Sequence, residues 1–253
     1  NISGGDGVIK GMLILNANAK NMNIDLNGNG IVLQKLNKDF ADSGNEVLYV
    51  KNGGKTDFNI KLNTSGSDTD QYLANMDGQV VAIIDPSVMN IKSLERLQGN
   101  IIVQILNNLK LNIVNKDLNL NCAVVRSDIK KGVAEFPKGI VVDANDFYVV
   151  VDGNANLYTE KLDLDLQPFS GRINDTNVSS VLGSLLSIGG TMSKPSVGIN
   201  KTQTAKAVVG IIATGGIYNA GDMILSADSS PCHTALQGTS YANHFKAAEG
   251  GVK

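Results

Sequence analysis

Along most of the chain, apolar and polar residues alternate with a period of two. From Lys161 to Pro168, Leu162, Leu164 and Leu166 fall on one side of an extended backbone, and Asp163, Asp165 and Gln167 on the other. This is the pattern of a strand with one oily and one wet face. It occurs earlier too. Met22, Ile24 and Leu26 alternate with Asn23, Asp25 and Asn27, and Phe58, Ile60 and Leu62 alternate with Asp57, Asn59, Lys61 and Asn63. Val47 to Lys51 leads through Asn52-Gly53-Gly54 into the Phe58 strand. Asn-Gly supplies the positive φ angles of a tight turn, so the two segments are predicted to form a hairpin. Val80 to Ile84 is a strand ended by Asp85-Pro86. Leu118, Leu120, Cys122 and Val124 are assigned to one strand face. Ile140 to Val142 and Phe147 to Val151 follow as strands, and Ile188 to Val197 reads as the last one.

Two stretches break the alternation. Tyr72, Leu73 and Met76 sit at helical spacing before Gly78, which predicts a short helix near residues 68–76. Leu94, Leu97, Ile101, Ile105, Leu106 and Leu109 recur at steps of three and four, the stripe of an amphipathic helix over 93–109. Gly99 inside that stripe costs about 1 kcal/mol relative to Ala. Beyond Asn200 the alternation stops, and Ser230-Pro231 is a helix-start signal. The expected organisation is a mainly β, antiparallel domain over 1–200 with two inserted helices, then a C-terminal helical tail over 201–253. No repeat of fixed length appears, which disfavours a regular solenoid.

The chain's 253 residues can bury a sizeable core. A formal net charge of −2 excludes a wholesale basic surface, and with it nucleic acid as a partner. Aromatic residues make up 5% and Trp is absent, which argues against platforms that stack sugars or bases. The sequence opens at Asn1 with no basic or apolar leader, and reads as a fragment or processed product. The uncharged, glycine-studded stretch Ala207 to Gly221 is shorter than the roughly 20 residues needed to span a bilayer core.

Several short motifs suggest chemistry that their surroundings do not complete. "DLNGNG" at Asp25 to Gly30 resembles the first half of a calcium loop, but the twelfth position is Leu36 where a bidentate Glu is needed. "DGNANL" from Asp152 lacks the Gly at its sixth position; both are expected to be turns. "QGTSYA" at Gln237 to Ala242 echoes the run around a subtilisin-like serine nucleophile. The two histidines, His233 and His244, lie in the same tail, so no upstream base completes a triad. Two His and two Cys, widely parted, make no metal site. "IGGTMSK" lacks phosphate-loop spacing, and Asp163 and Asp165 are read as a solvated face. The expectation is a non-enzymatic protein without metal, cofactor or catalytic residue.

The order of several motifs resembles the C-terminal region of the AsmA family of bacterial envelope proteins, which includes bridge-like lipid transfer proteins. The stretch "NCAVVRSDIKKGVAEFPKGIVVDANDFYVVVDGNANLYTEKLDLDLQP", Asn121 to Pro168, is similar to that family's cysteine-bearing, Gly-Val, Val-Asp and leucine-alternating strands. "IGGTMSKPSVGINK" resembles its apolar-Gly-Thr-x-x-x-Pro segment, and "SSPCHTAL" its terminal cysteine motif. Upstream, "GGKTDFNIKLNTSGSDTDQYLANMDGQVV" resembles its strand, short helix and turn, so the likeness covers roughly Val47 to Leu236. Ile173 to Leu186 departs from the pattern.

The resemblance implies an extended, curved antiparallel sheet forming an apolar groove. It implies a periplasmic protein with an inner-membrane anchor outside this chain. The implied role is to bind or conduct phospholipid acyl chains, in support of outer-membrane assembly. Partners would be phospholipids or other acyl lipids, a membrane surface, or envelope proteins. Candidate groove residues are Phe58, Ile60, Leu62, Leu118, Leu120, Val149, Val151, Leu162, Leu164 and Leu166. The Ala207 to Gly221 run would plug an end of the sheet or touch a membrane. The oxidising compartment and the two cysteines imply a Cys122–Cys232 disulfide. The alternative is an envelope scaffold with a filled core and no lipid.

Overall fold

The computed structural model describes residues 2–4, 7–34, 50–90, 117–144, 147–170, 186–199 and 230–245. Among these residues, alternation is realised as one antiparallel sheet of thirteen strands. It begins with β1 (Ile2–Gly4), β2 (Gly7–Asn16), β3 (Asn21–Val32), β4 (Val50–Gly53) and β5 (Lys55–Ser65). β6 (Asp77–Ile84), β7 (Ser87–Asn90), β8 (Asp117–Lys130), β9 (Val133–Ala144) and β10 (Phe147–Asn156) follow. β11 (Leu162–Ser170), β12 (Leu186–Gly190) and β13 (Pro195–Ile199) complete it. The hydrogen-bonded order is β1-β2-β3-β5-β6-β8-β9-β10-β11-β12-β13, with β4 paired to β7 and β7 to β8. Strands close in sequence lie side by side. At the β8–β9 turn, Lys131 and Gly132 both take positive φ (47° and 71°), as a tight hairpin turn requires.

Among the described residues, two short helices accompany the sheet. The helix predicted near 68–76 is α1 (Thr69–Ala74), capped by Asp68, whose carboxylate accepts from the Gln71 N–H at 2.8 Å. α2 (Pro231–Ala235) starts where Ser230-Pro231 places it, with the Ser230 hydroxyl accepting from the Cys232 N–H. The helix expected over 93–109 and the Ala207 to Gly221 run lie outside the described residues, as do residues 173–185 of the stretch that departs from the family pattern.

Three readings are corrected. Val47–Lys51 and the Phe58 strand are not hairpin partners: β4 pairs with β7, while β5 pairs with β3 and β6. Asn52-Gly53-Gly54 is a kink, not a reversal. The facing β6–β7 segment bends at Asp85-Pro86, and the Gly54 N–H donates to the Pro86 carbonyl at 3.2 Å. Gly53 and Gly54 both have φ of 73°, and a Cβ on Gly53 would run into the Pro86 carbonyl. Second, Ile188 to Val197 is the β12–β13 hairpin, reversed through Thr191 to Lys194. Third, Leu118 and Leu120 do not share a face with Cys122 and Val124. A bulge between Leu120 and Cys122 shifts the register against β9, and the Asn121 side chain there donates to Asp143 at 2.9 Å. One extra residue reverses the face of everything beyond it.

The Asp25 to Gly30 motif is also not a turn. It lies inside β3, and Gly30 (φ 63°) marks an irregularity where the β3–β5 register shifts between Gly28 and Ile31. Most of the Asp152 motif lies in β10, and only its end turns: the Asn156 side chain accepts from the N–H groups of Tyr158 and Thr159.

Candidate functional site

The register places all ten candidate residues on one face of the sheet. Cross-strand partners run Phe58, Ala82, Val125, Ile140, Val151, Leu166 and Leu186 in an unbroken row. A neighbouring row runs Leu13, Ile24 and Leu62, then Gly78, Ile129, Ala134, Ala155 and Leu162. Leu118 and Leu120 join the same face through their cluster with Ala123, Ile84 and Val142. The apolar face therefore continues from β2 to β12.

Its two ends differ in burial. Toward the C-terminal strands, Val149, Val151, Leu164, Leu166, Leu186 and Ile188 pack into one cluster and are buried. Toward the N-terminal strands, Ile24, Leu26, Phe58, Ile60 and Leu62 are half-buried, and Leu13 and Leu15 are exposed. α1 sits at one margin, where the Thr64 hydroxyl donates to the Tyr72 carbonyl.

The opposite face is built differently. Met12, Asp25, Lys61, Gln79 and Asp128 lie across from one another in a polar row, with Gln79 donating to Asp128 at 2.7 Å. An open depression over this row is lined in part by Met12, Ile14, Asp25, Lys61 and Gln79. Beside it lies an apolar patch of Val81, Ile83, Val124, Val141 and Val150, which α2 and the residues after it cover with Cys232, Ala235 and Leu236. Cys122 and Cys232 form a disulfide with Cα atoms 6.4 Å apart, within the range such a bond needs.

Polar contacts tie the tail further. Arg126 donates to the Gln237 carbonyl at 2.6 Å and pairs with Asp128 at 3.1 Å. His244 contacts Asp85 through Nε2 at 2.8 Å and lies 3.8 Å from Asp57 through Nδ1, with its ring edge-on to Phe245. Burial, with the Asp143 charge second, pushes the Tyr148 hydroxyl up to about 12. Burial and then Asp57 also raise Tyr241, against a lowering hydrogen bond from Asn27. These contacts make the "QGTSYA" segment a docking device. Ser240 is exposed, while the carboxylates beside His244 are Asp57 of β5 and Asp85 at the bend between β6 and β7. Among the described residues no group of three or more His, Cys, Asp and Glu side chains could hold a metal ion.

Two features of these surfaces escape the sequence reading. Val80 to Ile84, Ile140 to Val142 and Tyr148 to Val151 are unbroken apolar runs. Such runs mark strands covered on both faces, and these are the strands under the tail. The Met12 to Leu15 run on β2 is also passed over. No protein-family model, curated protein or solved structure matches the chain.

Proposed function

We propose that this protein is a non-enzymatic, periplasmic carrier whose apolar sheet face forms a groove for the acyl chains of phospholipids. One observation carries the reading. Val125, in the middle of the Phe58-to-Leu186 row, remains 37% exposed, although its row neighbours are apolar on both sides. Water against such a face costs about 25 cal/mol per Å², which an apolar ligand laid on it would relieve. An unbranched acyl chain suits a groove lined by Phe58, Ile60, Leu62, Val125 and Ile140, with no polar partner required. The motif order that resembles the AsmA family supports the same reading, and the disulfide fits an oxidising compartment. Among the described residues no helix is long and apolar enough to cross a membrane.

Solvent extraction of the purified protein followed by lipid mass spectrometry tests this. Phospholipid at about one or more molecules per chain is expected, and it should fall sharply in Ile60→Asp. A second reading, a scaffold with a filled core, draws on the buried Val149–Ile188 cluster. Lipid-free protein whose stability is indifferent to added phospholipid would favour it.

A further inference from the structure

The openness of the apolar face has a local cause at Phe58. Its cross-strand neighbours are Gly28 on β3 and Ala82 on β6. The Phe58 ring lies over Gly28, where a Cβ would run into it. A glycine within a strand permits this kind of close approach. The ring therefore leans toward β3 and away from β6, which leaves the methyl group of Ala82 uncovered on that side. Val125, the next residue of the row beyond Ala82, is exposed. Gly78, Val80 and Ala82 occupy alternate positions of β6, none larger than valine and all half-buried. Leu62, Ile60 and Phe58 stand opposite them on β5, and Ile129, Ser127 and Val125 on β8. Gly78 has no room for a side chain, since a Cβ there would run into the Lys61 carbonyl.

We propose that β6 is the floor of a slot one chain wide, in which a single unbranched acyl chain lies along the strand. Ala82 is its specificity-determining residue, and Gly28 is a positioning residue that acts through Phe58. This rests on the reading of the face as an acyl groove. β5 and β8 are two strand spacings apart, roughly 10 Å. Side chains standing on both narrow that gap to about the width of one hydrocarbon chain. A chain laid there meets Gly78, Val80 and Ala82 beneath it and no charged group on either side. Each methylene it buries leaves water, which is the whole driving force such a site needs. A Phe58 ring turned toward β6 would lie over Ala82 and fill the slot.

Lipid mass spectrometry on solvent extracts of the purified full chain tests it, with phospholipid per chain as the readout. Ala82→Leu fills the slot from its floor. The added atoms project from a half-buried position, so circular dichroism and melting temperature should be retained. Gly28→Ala adds one carbon two strands away, which displaces the Phe58 ring toward Ala82. Both variants should lose most of the phospholipid that wild type carries. Phe58→Leu alone should keep it, and Gly28→Ala combined with Phe58→Leu should recover it, because no ring remains to be displaced. A role of Gly28 in folding alone would not be rescued in this way. A wild type without phospholipid would overturn the groove reading and the slot together. A loaded wild type with either single variant folded and equally loaded would overturn the slot and leave the groove reading standing. So would a double variant no better loaded than Gly28→Ala.

Discussion

The two faces of this sheet are both apolar over much of their area, but they are closed by different means. On one, Val81, Val124, Val141 and Val150 are covered by residues of the same chain, and a disulfide holds the cover in place. On the other, a longer apolar surface is buried around Val149, Leu164, Leu166 and Ile188, and is left part-open at Phe58, Ile60, Leu62 and Val125. The covered face is where strands are apolar on both sides. At Phe58, Ile60 and Leu62 the part-open face lies where they alternate.

The largest effect should come from forcing a charge into the closed end of the part-open face. Leu164→Asp removes packing worth about 2–5 kcal/mol and buries a carboxylate among Val151, Leu166 and Ile188. A loss above about 5 kcal/mol in denaturant unfolding is expected. A variant as stable as wild type would show that this end is not packed. Next is the staple of the covered face. Replacing Cys122 and Cys232 with Ala opens a loop of sequence separation 110 and should cost about 4–5 kcal/mol if the cross-link acts through chain entropy. Equilibrium unfolding with and without reductant measures it. Leu236→Ala, under the same cover and fully buried, should cost about 2–4 kcal/mol. Val125→Thr, half-way along the open stretch, should change stability by no more than about 0.5 kcal/mol while reducing bound lipid.

These effects separate what the sequence made legible from what it did not. Leu162, Leu164 and Leu166 announce their shared face because period two survives from strand to strand, and register then carries it to Phe58 and Leu120. The same rule fails at Cys122. Asn121 adds one residue to the ladder, and nothing in "LNLNCAVV" distinguishes an inserted residue from a paired one. Asn52-Gly53-Gly54 was misread for a related reason. Positive φ is local and legible, but whether it reverses a strand or kinks it depends on Asp85-Pro86 across the sheet. The covered patch was written in the unbroken runs at Val80, Ile140 and Tyr148. The Cys122–Cys232 pair followed from there being two cysteines and from the compartment the resemblance implied, not from any local pattern.

The smallest predicted effect lies at alkaline pH on the covered face. The Tyr148 hydroxyl titrates near 12 in the fold and near 10 in the unfolded chain, so the unfolded state loses its proton first. Its contribution to stability is complete below about pH 10 and is lost as the pH rises toward 12. Chemical denaturation across that window should show a decline that Tyr148→Phe lessens, and an identical slope in the variant would assign the decline to other groups.

The central claim is that the part-open face, and not its covered counterpart, meets acyl chains. The chain contains no Trp, so Val125→Trp and Lys61→Trp each place a single reporter, one in the apolar row and one in the polar row of the opposite face. Fluorescence with phospholipids brominated along their acyl chains compares the two directly. Strong quenching at position 125 and little at 61 is the predicted result. Equal quenching at both positions, or none at 125, would contradict the account.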